Sequence, residues 1–251
     1  MKPPLRIAVL ECDTPLDRTQ QKYGSYGGVF EALLEAGADS LARDDLDSKT
    51  GLDITKWDVV NMELYPELDD VDAILLSGSR HNSFDNIPWI LKLVDYVKRV
   101  LDQDRIRLIG VCFGHQIIGR ALGVKVDRSQ VGWEISVSNV QLSEKGKELF
   151  GKDELSIFQM HTDIVYDWPP GVEKLGSSDR CEVQGMYQKG SLITVQGHPE
   201  FTQQIVTELL ESRHASGVFD DALFKSGMER VGNKHDGVAV GAAFLKFVLE
   251  E

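Results

Sequence analysis

Leu108-Ile109-Gly110-Val111-Cys112-Phe113-Gly114-His115-Gln116 is the stretch on which the fold turns. An apolar run of strand length leads into a cysteine, and Ile117, Ile118, Ala121 and Leu122 then recur at helical spacing. The chain must therefore bend sharply at Cys112, from a buried strand into a helix. Gly110 and Gly114 remove Cβ atoms where such a bend would crowd neighbouring backbone. A side chain at the apex is projected outward, as a nucleophile requires, and the helix N-terminus favours a thiolate there. The same turn leaves backbone N–H groups, that of Phe113 among them, free to receive an oxyanion. A lone cysteine in a sheet is otherwise a small inert hydrophobe, and it is the flanking pattern that selects the reactive reading.

Upstream of this turn, residues 5–10 read as a buried strand and 29–36 as a helix stopped by Gly37. Residues 38–56 read as a polar surface excursion, 58–64 as a strand, and 71–76 as a short apolar strand closing in Ser77-Gly78-Ser79. A helix introduced by Pro88 carries Ile90, Leu91, Val94, Val97, Val100 and Leu101 on one stripe. Downstream, 133–142, 155–160, 172–176, 182–187 and 192–195 read as strands, with Lys189-Gly190 as a hairpin turn. One helix follows Glu200 and fades near Ser216-Gly217, and another spans 236–250. Strands alternating with helices predict an α/β fold, a doubly wound, mostly parallel sheet with flanking helices and an additional small β region. The active site is expected at the carboxyl ends of its strands. A single domain is expected over residues 1–251, with its core over 5–213 and a C-terminal helical extension over 214–251.

Composition narrows the function. A formal net charge of −13 argues against nucleic acid, whose binding draws on clustered Lys and Arg. Cys12, Cys112 and Cys181 are three cysteines without CxxC spacing, which disfavours a disulfide framework and a zinc site and suits a reducing, cytoplasmic setting. The N-terminal apolar run is too short and too charged for a signal peptide. The run at 238–249 falls short of the ~20 residues a membrane span needs. No metal, cofactor or membrane partner is expected.

His198-Pro199-Glu200 offers a base for the thiol. Proline biases the residue before it toward extended geometry, and residues two apart in an extended segment project to one side. Glu200 can then orient the His198 imidazole through one ring nitrogen and leave the other for Cys112. By itself this tripeptide is equally a solvated loop. Beside the strand-to-helix cysteine it completes a nucleophile, base and orienting acid.

Gly110 to Gln116 together with Gly197-His198-Pro199-Glu200 resembles the class I glutamine amidotransferase family, with its Cys–His–Glu triad in this chain order and a flavodoxin-like architecture. The resemblance implies catalysis by Cys112, His198 and Glu200 and an oxyanion hole from the N–H groups of Gly78 and Phe113. It also implies substrate contacts from Gln116, Gly132, Trp133 and His161. Gln130 and Val131 depart from the family's Glu-containing pattern before Gly132-Trp133. Met160-His161-Thr162-Asp163 resembles the family's His-x-Asp segment, or is a loop histidine with Asp163 capping the turn. His115 is given no catalytic part, and Cys12 and Cys181 are read as structural thiols.

Three functions follow from the resemblance, which extends over residues 5–213. One is a self-sufficient hydrolase of a γ-glutamyl amide, acting on glutamine or a γ-glutamyl peptide or conjugate through a thioester, as in γ-glutamyl peptidase-like members. The second is a glutaminase subunit that passes ammonia to a separate synthetase. The third is a regulatory or binding protein that keeps the fold without turnover. No phosphate-cradling Gly-x-x-x-x-Gly-Lys-Ser/Thr loop is present for an ATP-driven amination.

Overall fold

Alternate residues of the first strand, β1 (Leu5–Glu11), enter different cores. Leu5, Ile7 and Val9 pack with Phe30, Leu34, Val240 and Phe244, whereas Ala8 and Leu10 pack with Ile90, Leu93, Ile117 and Ile118. A strand that is apolar on both sides belongs inside a sheet covered on both faces, and β1 does so in the computed structural model, which describes residues 1–250.

Beside β1 run β2 (Leu52–Asp58) and β3 (Ala73–Leu76), followed outward from β3 by β4 (Arg107–Val111) and β11 (Leu192–Val195), every neighbouring pair parallel. The sheet continues antiparallel through β10 (Gly185–Gln188), β9 (Glu173–Ser177), β6 (Glu134–Leu142) and β7 (Glu154–His161). The result is a nine-stranded mixed sheet of order β2-β1-β3-β4-β11-β10-β9-β6-β7. A separate antiparallel pair is made by β5 (Val126–Arg128) and β8 (Asp163–Val165).

Helices α2 (Tyr26–Leu41) and α8 (Gly237–Leu249) pack together on one face. Helices α3 (Pro88–Leu101) and α4 (Phe113–Ala121) do so on the other. A third cluster sets Ile135, Phe158 and Met160 against Ile205 and Leu210 of α6 (Gln203–Ala215) and the neighbouring Phe219. Shorter helices are α1 (Asp17–Tyr23), α5 (Glu144–Phe150) and α7 (Asp221–Arg230). Val240, Phe244, Leu245 and Phe247 of α8 are fully buried, so the C-terminal helix is part of the main core.

Two expectations are corrected. Residues 58–64 are not a strand: the Asp58 carboxylate accepts from the N–H groups of Val60 and Asn61 at 2.9 and 2.8 Å and closes the strand instead. The strand here is β2, and it begins inside the segment read as a polar excursion. As an edge strand it has no fully buried residue and sets only Leu52, Ile54 and Trp57 partly against the cores, which dilutes its apolar signal. Gly37 does not stop its helix either, since α2 continues to Leu41. A Cβ on Gly37 would lie 2.8 Å from the Ala242 nitrogen, so this glycine is where the backbone of α8 approaches α2.

Candidate active site

Strands β3, β4 and β11 are adjacent and parallel, so their carboxyl ends open at one edge of the sheet. The chain leaves β3 into Ser77-Gly78-Ser79, β4 into Cys112, and β11 into Gln196-Gly197-His198. Segments far apart in sequence are thereby brought to one place by strand order alone.

Cys112 has φ 51° and ψ −104°, a region that L residues seldom occupy and that costs about 1–3 kcal/mol. The surroundings hold it there: its N–H donates to the Val195 carbonyl at 3.0 Å, and its carbonyl accepts from the Gln116 N–H at 3.0 Å. Gly114 is needed at this bend, because a Cβ on it would lie 2.6 Å from that of Leu76. The strained turn places Cys112, 5% exposed, immediately before α4.

His198 is anchored by its N–H, which donates to the Phe158 carbonyl at 2.7 Å. Its Nδ1 lies 2.8 Å from Oε1 of Glu200, which leaves Nε2 as the ring nitrogen open to the sulfur. Phe201 stacks on the imidazole with centroids 3.9 Å apart and planes 4° from parallel. Burial pulls the His198 pKa down, but the neighbouring Cys112 and Glu200, the latter hydrogen-bonded to Nδ1, raise it to about 10. A Cβ placed on Gly78 would have His198 Cε1 at 2.7 Å and Cys112 Cβ at 3.7 Å. Cysteine, histidine and the Ser77–Ser79 loop therefore share one locus. Neither the Gly78 nor the Phe113 N–H has a protein acceptor among the described residues.

Two cavities meet here. The smaller, about 120 Å³, is lined by Cys112, Gln116, Trp133, His161, Asp163 and Arg128 among others. The larger, about 200 Å³, is lined by Gly78, His198 and Glu200 together with Tyr26, Leu209 and Val218. Ser79, Arg80, Met160 and Arg213 border both.

The remaining expected site residues differ in placement. Gln116 lines the smaller cavity with its amide engaged, Oε1 accepting from Ser83 and Nε2 donating to the Asp163 carbonyl at 2.8 Å. His161 sets Nε2 3.2 Å from the buried Glu134 carboxylate, while its Nδ1 is buried without a partner. Asp163 pairs with Arg128 at 2.5 Å. Trp133 lies under the Arg213 guanidinium, 4.7 Å from the ring centroid. Gly132, at φ 82°, is exposed and borders neither cavity. Sequence reasoning missed Phe201 and Arg213; the first directly follows Glu200 and could have been noticed, whereas nothing local marks the second.

The other thiols and His115 are core groups. Burial pushes Cys12 up to about 12 and raises Cys181 as well. His115 is buried against Thr194 Oγ1 at 2.8 Å, and burial pulls it down to about 3. Among the described residues no cluster of His, Cys, Asp and Glu is arranged to hold a metal ion, and no helix is long and apolar enough to cross a membrane.

A sequence model of the class-I glutamine amidotransferase family matches residues 38–213. A glutamine amidotransferase-like protein of Schizosaccharomyces pombe is 35% identical, over 97% of this chain and 98% of its own. Gamma-glutamyl peptidase 4 of Arabidopsis thaliana is 31% identical, over 79% of this chain and 76% of its own. A solved glutamine amidotransferase from Thermotoga maritima superposes with a TM-score of 0.71 at 17% identity, over 98% of this chain and 99% of that one.

Proposed function

The chain belongs to the class-I glutamine amidotransferase family, and from that premise we propose that it hydrolyses a γ-glutamyl amide through a thioester on Cys112. The observation that carries this reading is the His198 imidazole, bound at Nδ1 by Glu200 and sharing the locus of Cys112 and Gly78. The sulfur attacks the γ-carbonyl carbon and a C–S bond forms. The oxyanion is received by the N–H groups of Gly78 and Phe113. As it collapses the C–N bond breaks, and the leaving amine takes its proton from His198. Water then adds to the thioester and gives its proton to His198, and the C–S bond breaks to release glutamate. One water is consumed per amide cleaved, with no oxidant or nucleotide. Gln116, Trp133 and His161 are assigned to the γ-glutamyl portion. Gly132 contributes only through the backbone it sets before Trp133. The setting proposed is cytoplasmic, without metal or cofactor.

The test is turnover by purified protein of glutamine, glutathione and γ-glutamyl conjugates, combined with mass spectrometry after exposure to a glutamine-like electrophile. The expected result is unaided turnover, lost in Cys112→Ser, and one adduct on Cys112 with Cys12 and Cys181 unmodified. Turnover that requires a co-purifying synthetase would replace this reading with that of a glutaminase subunit. Binding without turnover would replace it with a regulatory role.

A further inference from the structure

The two cavities are unequal in a way that bears on the substrate. Cys112 borders the smaller and His198 the larger, with Arg213 between them. In a γ-glutamyl amide the carbonyl carbon must meet the sulfur, and the departing nitrogen must meet the imidazole that protonates it. The scissile bond then lies across the shared wall, with the γ-glutamyl portion on the Cys112 side and the departing amine on the His198 side.

The His198 side is larger than ammonia requires. Ammonia, the size of one water, needs ~10–15 Å³ of such cavity space, whereas this cavity holds about 200 Å³. Tyr26, Leu16, Leu209 and Val218 give it an apolar wall. Its charges are distributed unevenly. Arg80 is tied to Asp13 by contacts of 2.6 to 3.1 Å, and Glu200 is engaged with His198. Arg213 makes no ion pair among the described residues, and its Nε is buried without a hydrogen-bond partner. Its guanidinium lies over Trp133 and 5.8 Å from the Phe219 centroid. Its carbonyl accepts from the N–H groups of Val218 and Phe219 at 2.9 and 3.1 Å, which fixes where α6 ends and the side chain begins. A planar cation held without a directly paired carboxylate beside an apolar wall matches a ligand carrying a carboxylate next to an apolar side chain.

We propose that the cavity on the His198 side is a leaving-group subsite for an α-amino acid or short peptide, and that Arg213 recognises its free carboxylate. This rests on the γ-glutamyl hydrolase reading and adds the identity of the group released.

The experiment compares kcat/KM for γ-glutamyl-leucine and γ-glutamyl-leucinamide, which differ only in the carboxylate of the leaving group, with glutamine as a third substrate. The wild-type chain is expected to prefer the acid over the amide by roughly 10- to 100-fold, the range of a charge-assisted hydrogen bond. Arg213→Met is expected to bring that ratio near one, and Arg213→Lys to restore part of it. Equal wild-type rates on acid and amide would overturn the subsite while leaving γ-glutamyl hydrolysis standing. A ratio that persists in a folded Arg213→Met protein would overturn the role of Arg213. Failure of the wild-type chain on all three substrates would overturn the hydrolase reading itself.

Discussion

The Cβ that Gly78 lacks would lie 2.7 Å from Cε1 of His198. The glycine that the family resemblance implies as an oxyanion donor is thus also the residue that leaves room for the imidazole. Gly78→Ala must push the ring or the loop aside, and a displacement near 1 Å in a catalytic constellation costs on the order of 100-fold in rate. The expected outcome is a fall of about that size in kcat/KM with little change in Tm. Retention of more than about half the activity would show that the ring has slack.

Phe201 supports the same imidazole from its face. Replacing it by leucine keeps much of the buried volume but removes the stacked ring, whose pair energy is about 0.5–1.5 kcal/mol. Phe201→Leu should lower kcat by about twofold to tenfold with KM nearly unchanged, as for a residue that positions the base without touching substrate. Steady-state kinetics beside a melting curve separates this from simple loss of stability. A change confined to KM would count against it.

Two of the buried histidines, His198 and His115, make opposite contributions to stability with pH. His198 binds its proton more tightly folded than unfolded, where its value is about 6.5. Its contribution is full below about pH 6.5 and is lost as pH rises toward about 10. His115 is depressed to about 3, so its contribution is full above about pH 6.5 and is lost as pH falls toward that value. Thermal melting between pH 3 and 10 should show both limbs. His198→Asn is expected to flatten the alkaline limb and spare the acid one, and an unchanged alkaline limb would contradict this assignment.

Gly37→Ala separates helix propensity from packing. In an isolated helix alanine is better than glycine by about 1 kcal/mol. Here the added methyl would lie 2.8 Å from backbone atoms of Gly241 and Ala242, and overpacking of that kind costs about 1–3 kcal/mol. The variant is expected to be destabilised in denaturant melts. A stabilised variant would mean that α8 can retreat from α2 at little cost.

Much of this was legible in the chain because its signals are local. The run into Cys112, the two glycines around it and the helical spacing after it record one turn. The continuous apolar character of β1, β3 and β4 records burial on both faces. Edge strand β2 was misplaced because water on one side halves its apolar signal. The short helices α1, α5 and α7 passed unnoticed: each buries at most two residues.

By itself the sequence determined the bend at Cys112, the pairing of His198 with Glu200 two residues on, and the buried strands that lead into them, since each depends on neighbours a few positions apart. The tertiary structure alone decided that β3, β4 and β11 lie side by side, that Gly78 faces His198, and that an unpaired Arg213 stands between two cavities of unequal size. Those relations are set by strand order and helix packing across separations as long as 101 to 135 residues, from Cys112 to Arg213 and from Gly78 to Arg213. No local pattern encodes a distance of that kind.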